Sequence, residues 1–209
     1  MKIKICGIMS EEIIKLLIEL NIDYAGFILY EKSIRYVTPT FVRRMVEKYR
    51  DKINLVGVVV NMPVTTLNEL IDYTKINFIQ LHGDESPTYI KTIKANINII
   101  KAFRISQNFN KDVLKEYLKL DLYGFLFDTL KKGTYGGTGE SFDWEKNNWI
   151  KNMKNVFISG GLNVNNVINA IKIFNPMVVD INSGVEEEKG IKSEKKIKEI
   201  ITLIRKYYE

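Results

Sequence analysis

The sequence predicts a compact (β/α)8, or TIM, barrel that occupies residues 1–209 as one α/β domain. Three observations predict it. Short apolar runs alternate with stretches of helical period along the whole chain, giving eight strand and helix units. The runs are branched and continuously apolar, the pattern of parallel strands buried on both faces. The rival reading, an open doubly wound sheet, should carry GxGxxG after its first strand if it binds a dinucleotide, and the chain has Cys6-Gly7-Ile8-Met9 there. At 209 residues, 45% of them apolar, the chain can bury one sizeable core and is short for two domains. Barrels of this class typically need about 250 residues, so most loops must be short.

The elements follow in order. Ile3–Ile5 is a strand, and the helix from Glu11 shows Ile13, Ile14, Leu17, Ile18 and Leu20 on one face. Tyr24–Leu29 precedes a helix from Pro39 to Tyr49, and Leu55–Val60 precedes a helix through Leu67, Leu70 and Ile71. Phe78–Leu81 leads to a helix opened by Asp84-Glu85-Ser86-Pro87, where proline suits the first turn because its missing N–H forfeits no helical bond. The later strands are Asn98–Phe103, Tyr123–Phe127, Val156–Ile158 and Met177–Ile181, with helices around 110–120, 143–151, 163–173 and 193–207.

Composition narrows the function. One cysteine excludes an intramolecular disulfide, and no segment approaches the roughly 20 apolar residues of a membrane span or the profile of a signal peptide. The expected location is the cytoplasm, with no membrane partner. Thirty-one Lys and Arg against 25 Asp and Glu give a net charge of +6, which can steer an anionic ligand. That charge is spread along the chain without a basic-aromatic cluster, so no nucleic-acid partner is expected. A single histidine and a single cysteine, with no repeating carboxylates around them, argue against zinc, and no G-x-S-x-G elbow supports a serine triad.

In a barrel the C-terminal ends of the strands converge on one mouth. Cys6 ends strand one, Arg35 follows strand two, His82 ends strand four and Asp128 ends strand six, so these four are the candidates for one pocket. Each has a plainer reading: a small hydrophobe closing a strand, a surface ion-pair partner, a loop histidine bonded to its own backbone, and a turn cap. Asp128 follows an apolar strand, where partial desolvation raises a carboxyl pKa and suits a general acid. Cys6 needs the opposite tuning, since a thiol with a free pKa of about 8.5 must lose its proton to act as a base. Ser159-Gly160-Gly161 after strand seven and Asn182-Ser183-Gly184 after strand eight mark the usual phosphate seat of such barrels, with a short helix near Ser183 aimed at the anion. The long loop through Gly136, Gly137 and Gly139 is a candidate lid, Asp143 an N-cap, and Trp144 a packing residue.

Six ordered motifs, Lys4-Ile5-Cys6-Gly7-Ile8, Gln80-Leu81-His82-Gly83-Asp84-Glu85, Asp128-Thr129, Tyr135-Gly136-Gly137-Thr138-Gly139 with Phe142-Asp143-Trp144, Ser159-Gly160-Gly161-Leu162 and Asp180-Ile181-Asn182-Ser183-Gly184-Val185-Glu186, span the chain. Together they resemble the phosphoribosylanthranilate isomerases of tryptophan biosynthesis. The resemblance implies an Amadori rearrangement of N-(5-phosphoribosyl)anthranilate without metal or organic cofactor, by a monomer or homodimer. It implies Asp128 as the acid that opens the ribose ring and Cys6 as the base at sugar C2. Arg35 matches the position facing the anthranilate carboxylate, His82 and Gly83 complete the substrate contacts, and Gly160, Gly161, Ser183 and Gly184 hold the phosphate. Two departures stand out: Ile34 replaces the proline usual between Ser33 and Arg35, and Ser193 replaces an aspartate, with its own ability to cap the last helix. A phosphosugar epimerase would be expected to use two carboxylates and often a metal, a related synthase to carry lysine in place of the thiol. A barrel that only binds a phosphorylated ligand is the third alternative.

Overall fold

The computed structural model describes residues 1–94, 96–105, 109–129, 144 and 146–209. Its strands are β1 (Lys2–Ile5), β2 (Tyr24–Ile28), β3 (Asn54–Val59), β4 (Phe78–Leu81), β5 (Asn98–Ile105), β6 (Gly124–Thr129), β7 (Val156–Ile158) and β8 (Val178–Ile181). Each pairs in parallel with the next, and β8 returns to β1 to close the barrel. Closure removes every free strand edge, and it requires the crossover helices to cover the outside.

Those helices are α1 (Glu11–Glu19), α2 (Pro39–Tyr49), α3 (Val64–Thr74), α4 (Pro87–Lys91), α5 (Leu114–Tyr117), α6 (Val167–Phe174) and α7 (Glu194–Tyr208). The Oγ of Ser10 accepts from the Ile13 N–H, and the hydroxyls of Thr38 and Ser86 cap helices that open on Pro39 and Pro87. The expected helix faces are the buried ones, as with Ile13, Ile14 and Leu17 in α1. Three expectations need correction. The stretch 110–120 holds only a 3-10 turn and the four-residue α5, and the described part of 143–151 holds a 3-10 turn over Asn148–Asn152. Ser193 stands at the N-cap of α7, but its hydroxyl makes no capping bond. Beyond β8 lies an unforeseen hairpin, β9 (Glu186–Glu188) with β10 (Ile191–Lys192). No helix among the described residues is long and apolar enough to cross a membrane.

Apolar side chains lie in two clusters. The larger one fills the layer between strands and helices, and it includes Trp144, whose ring meets Phe174 edge-on at 6.3 Å. The smaller one fills the floor of the barrel with Tyr24, Val56, Phe78, Ile100, Ala102, Leu126, Phe157 and Val178. Rings dominate the floor: Tyr24 lies 5.8 Å from Phe78 and 5.9 Å from Phe157, centroid to centroid. The floor closes the barrel's lower end and leaves only the opposite end for chemistry. Phe157 is fully buried there. Phe157→Ala should therefore cost about 3–5 kcal/mol in urea denaturation. A loss below about 1 kcal/mol would contradict a packed floor.

Candidate active site

Side chains along a strand alternate between faces, so residues two apart share the barrel interior. Each interior column climbs from the floor to the mouth. In β4 it runs Phe78, Gln80, His82; in β6, Leu126, Asp128; in β8, Val178, Asp180, Asn182; and in β1, Lys4 stands below Cys6. The upper members open on one cavity at the mouth of the barrel. Cys6, Arg35, His82, Asp128, Gly160, Gly161 and Ser183 all line it, so seven of the residues singled out in the sequence meet in one place. Its apolar wall comes from Ile28, Val58, Val60 and Leu162.

The carboxyl of Asp128 is held by His82, with Nε2 3.2 Å from Oδ2, and Nδ1 of the same imidazole lies 2.8 Å from Nε2 of Gln80. With the amide in that orientation, Gln80 donates to Nδ1, so Nε2 carries the hydrogen directed at Asp128. His82 is thus bonded to side chains of the interior rather than to its own backbone. The loop beyond it is fixed from outside the barrel. Lys101 donates to the Gly83 carbonyl at 2.8 Å and to Glu85 Oε2 at 3.0 Å, and Glu85 accepts from the N–H groups of Gly83 and Asn61. The Gly83 N–H is therefore occupied, and Gly83 lies outside the cavity lining.

The Cys6 thiol is buried, 5% exposed, and packs so closely on β2 that a Cβ on Gly26 would lie 2.8 Å from its sulfur. Burial pushes the thiol pKa up, opposed by the charges of Lys4 and Lys192 and reinforced by Asp180. Lys4 and Asp180 form a salt bridge of 2.8 Å at 0% and 3% exposure. Burial works against the Lys4 charge, but Asp180 and Cys6 outweigh it and hold the ammonium above its usual range.

Arg35 does make an ion pair, but a buried one rather than a surface one. Its Nε and Nη2 donate to the two oxygens of Glu186 at 2.6 and 2.7 Å, which leaves Nη1 for a second carboxylate. Lys192 donates to the same Glu186 at 2.8 Å, so the β9–β10 hairpin exists as a clamp on Arg35. Burial disfavours the Glu186 carboxylate, yet Arg35, Lys192 and the Gly190 N–H together lower its pKa to about 2. The backbone at Arg35 is held by Ser33, whose Oγ accepts its N–H at 3.1 Å.

Gly160 and Gly161 take φ of +98° and +65°, a pair of left-handed residues that turns successive backbone groups toward the cavity. Gly184 does not line the cavity; its backbone packs on the Leu162 carbonyl so closely that any side chain would collide with it. That contact joins the loops after β7 and β8 into one seat. Ser183 opens a three-residue 3-10 helix, Ser183–Val185, where a short helix was expected. Gly136, Gly137 and Gly139 of the candidate lid and Asp143 lie outside the described residues. Among the described residues no three His, Cys, Asp or Glu side chains converge as a metal site.

Several pocket residues had no role assigned from sequence: Gln80, Asp180 and Asn182 in the lining, and Lys4, Glu186 and Lys192 behind it. For Gln80 and Asp180 a signal existed, a polar residue interrupting an otherwise apolar strand two positions from the floor or the mouth. Glu186 and Lys192 showed none, because a solvated loop has the same composition.

Fold and site together define a (β/α)8 enzyme with a carboxyl and a thiol facing one cavity beside the glycine-rich loops after β7 and β8. Residues 3–202 match the family model for N-(5'phosphoribosyl)anthranilate (PRA) isomerase. The chain is 39% identical over 204 residues to the N-(5'-phosphoribosyl)anthranilate isomerase of Thermoanaerobacter sp. (strain X514), covering 98% of each. Crystal structures of phosphoribosyl anthranilate isomerase superpose closely. That from Thermotoga maritima does so at a TM-score of 0.86 with 33% identity, covering 98% of both chains. Another, in complex with reduced 1-(o-carboxyphenylamino)-1-deoxyribulose 5-phosphate, does so at 0.82 with 32% identity and the same coverage. The chain belongs to the N-(5'-phosphoribosyl)anthranilate isomerase family.

The Glu186 clamp has a pH signature. A carboxyl near 2 in the folded chain and about 4.3 unfolded contributes stability that is complete above the unfolded value and lost as pH falls through the folded one. Glu186→Gln should therefore be less stable than the unaltered chain at neutral pH, and the gap should close as pH falls from about 5 to about 2. Melting curves over that range check it; a gap independent of pH would count against the clamp.

Proposed function

We propose that the chain converts N-(5-phosphoribosyl)anthranilate to 1-(2-carboxyphenylamino)-1-deoxyribulose 5-phosphate for tryptophan biosynthesis, with Asp128 as acid and Cys6 as base. One observation carries the assignment of roles: Cys6 and Asp128 line the same cavity from β1 and β6, with β7 and β8 between them, in a chain of this family. A substrate lying between them presents different atoms to each. Asp128 gives its proton to the ribose ring oxygen as the C1–O bond breaks, and the nitrogen lone pair forms the C1=N bond of a Schiff base. The Cys6 thiolate then takes the proton from C2; that bond pair becomes C1=C2, and the C=N pair returns to nitrogen as an enolamine. Proton gain at C1 and loss from the C2 hydroxyl give the ketone. Nη1 of Arg35 suits the anthranilate carboxylate, and the joined loops at Gly160, Gly161 and Ser183 suit the phosphate. The ligand of the related crystal structure carries both groups. The same reading makes this a cytoplasmic enzyme, monomer or homodimer, independent of metal and organic cofactor.

Turnover of freshly generated N-(5-phosphoribosyl)anthranilate, followed by loss of its fluorescence with and without chelator, tests the function. Chelator-insensitive turnover is expected; a folded sample without turnover would move the assignment to another phosphosugar reaction or a binding role. Asp128→Asn keeps shape without a transferable proton, so kcat should fall by about 10²–10⁴ while ligand affinity holds. Cys6→Ser should lose turnover similarly, with melting little changed. Near-native turnover in either variant would remove that residue from its role.

A further inference from the structure

Cys6 is a weak base unless something in its surroundings stabilises the thiolate, because its burial favours the neutral thiol. Four charged groups bear on the sulfur from the elements around it: Lys4 on β1, Asp180 on β8, Lys192 on β10 and Arg35 after β2. Asp128 and His82 act on Asp180 in turn. The cations differ in what their hydrogens already do. Lys192 spends its three N–H groups on the Asn182 carbonyl, Asn182 Oδ1 and Glu186, and Arg35 is forked onto Glu186. Lys4 has one oxygen acceptor among the described residues, Asp180 Oδ2 at 2.8 Å. The other oxygen of Asp180, Oδ1, is buried without a hydrogen-bond partner, so the carboxylate serves Lys4 as a counter-charge and not as a hub.

We infer that Lys4, two residues below Cys6 on the same interior column and anchored by Asp180, is the positioning residue that supplies the fixed positive charge on which the Cys6 thiolate forms. The inference rests on the base role proposed for Cys6 and adds the residue that makes the role workable. No proton passes through Lys4. It stays an ammonium while the thiolate takes the C2 proton and becomes a thiol, and its charge remains beneath the sulfur when the thiolate returns. A lysine fully buried in the interior of a barrel, where an isosteric apolar pair would avoid the desolvation cost, is explained by this use.

Cys6 is the only cysteine, so alkylation by iodoacetamide reports on this thiol alone and needs no turnover. In Lys4→Met/Asp180→Asn, which removes both charges and leaves none unpaired, the alkylation rate at neutral pH should fall about tenfold or more, as for a thiol titrating at least one unit higher. Lys4→Met alone also removes the positive charge, leaving Asp180 either charged or protonated, and should slow alkylation at least as much. A folded double variant that alkylates like the unaltered chain overturns the inference. If the double variant does not fold, Lys4→Met decides, and alkylation there at the rate of the unaltered chain overturns the inference. The pH profile of kcat in the same proteins separates the two proposals. A profile that moves with the thiol supports both; a thiol that moves while the profile stays removes Cys6 as the base and leaves its coupling to Lys4 intact.

Discussion

The interior of a closed parallel barrel is packed with side chains, so polar groups buried on its interior columns take their hydrogen-bond and ionic partners mostly from one another. This constraint orders the whole molecule from floor to mouth. The floor escapes it by being apolar, with Tyr24, Phe78 and Phe157 in mutual ring contact. One level up, Lys4 and Asp180 meet it by pairing across the β1–β8 seam, where their Cα positions lie in register. At the mouth Gln80, His82 and Asp128 meet it as a hydrogen-bonded chain. Only there does the interior open enough for a substrate to complete the set.

The same rule applies outside the barrel wall, where two further buried ionic groups support the mouth. Lys101 and Glu85 fix the loop that follows His82, and Glu186 with Lys192 fixes Arg35. Buried pairs of this kind add little net stability, since desolvation offsets most of the attraction, but breaking one partner costs about 3–5 kcal/mol. Their effect is on position: a misdirected Arg35 or a shifted β4 loop would leave a charge stranded. The site is rigid because its alternatives are expensive, and rigid groups need little reorganisation when charge develops.

The proposed acid and base have different surroundings. Asp128 sits beside the His82 imidazole, whose other ring nitrogen meets the Gln80 amide. Cys6 sits above an ammonium whose orientation is set by Asp180. Each of these two groups thus has a polar neighbour inside the barrel, and that neighbour has a side-chain partner of its own.

The eight strands, the buried helix faces, the helix opening at Ser86-Pro87 and the strand-end positions of Cys6, His82 and Asp128 were legible in the sequence, because periodicity and turn chemistry are local properties of the chain. The sequence overestimated the helices near 110–120 and 143–151, where apolar spacing did not distinguish a 3-10 turn from a helix. It was silent on the hairpin after β8, on the Glu186 clamp and on the partnership of Lys4 with Asp180, residues joined only when the last strand closes on the first. By itself, then, the sequence determined the barrel, the family resemblance and the residues at the mouth. Tertiary structure alone decided which charges meet, because pairing across a closed barrel depends on register between strands far apart in the chain, and no local pattern encodes it.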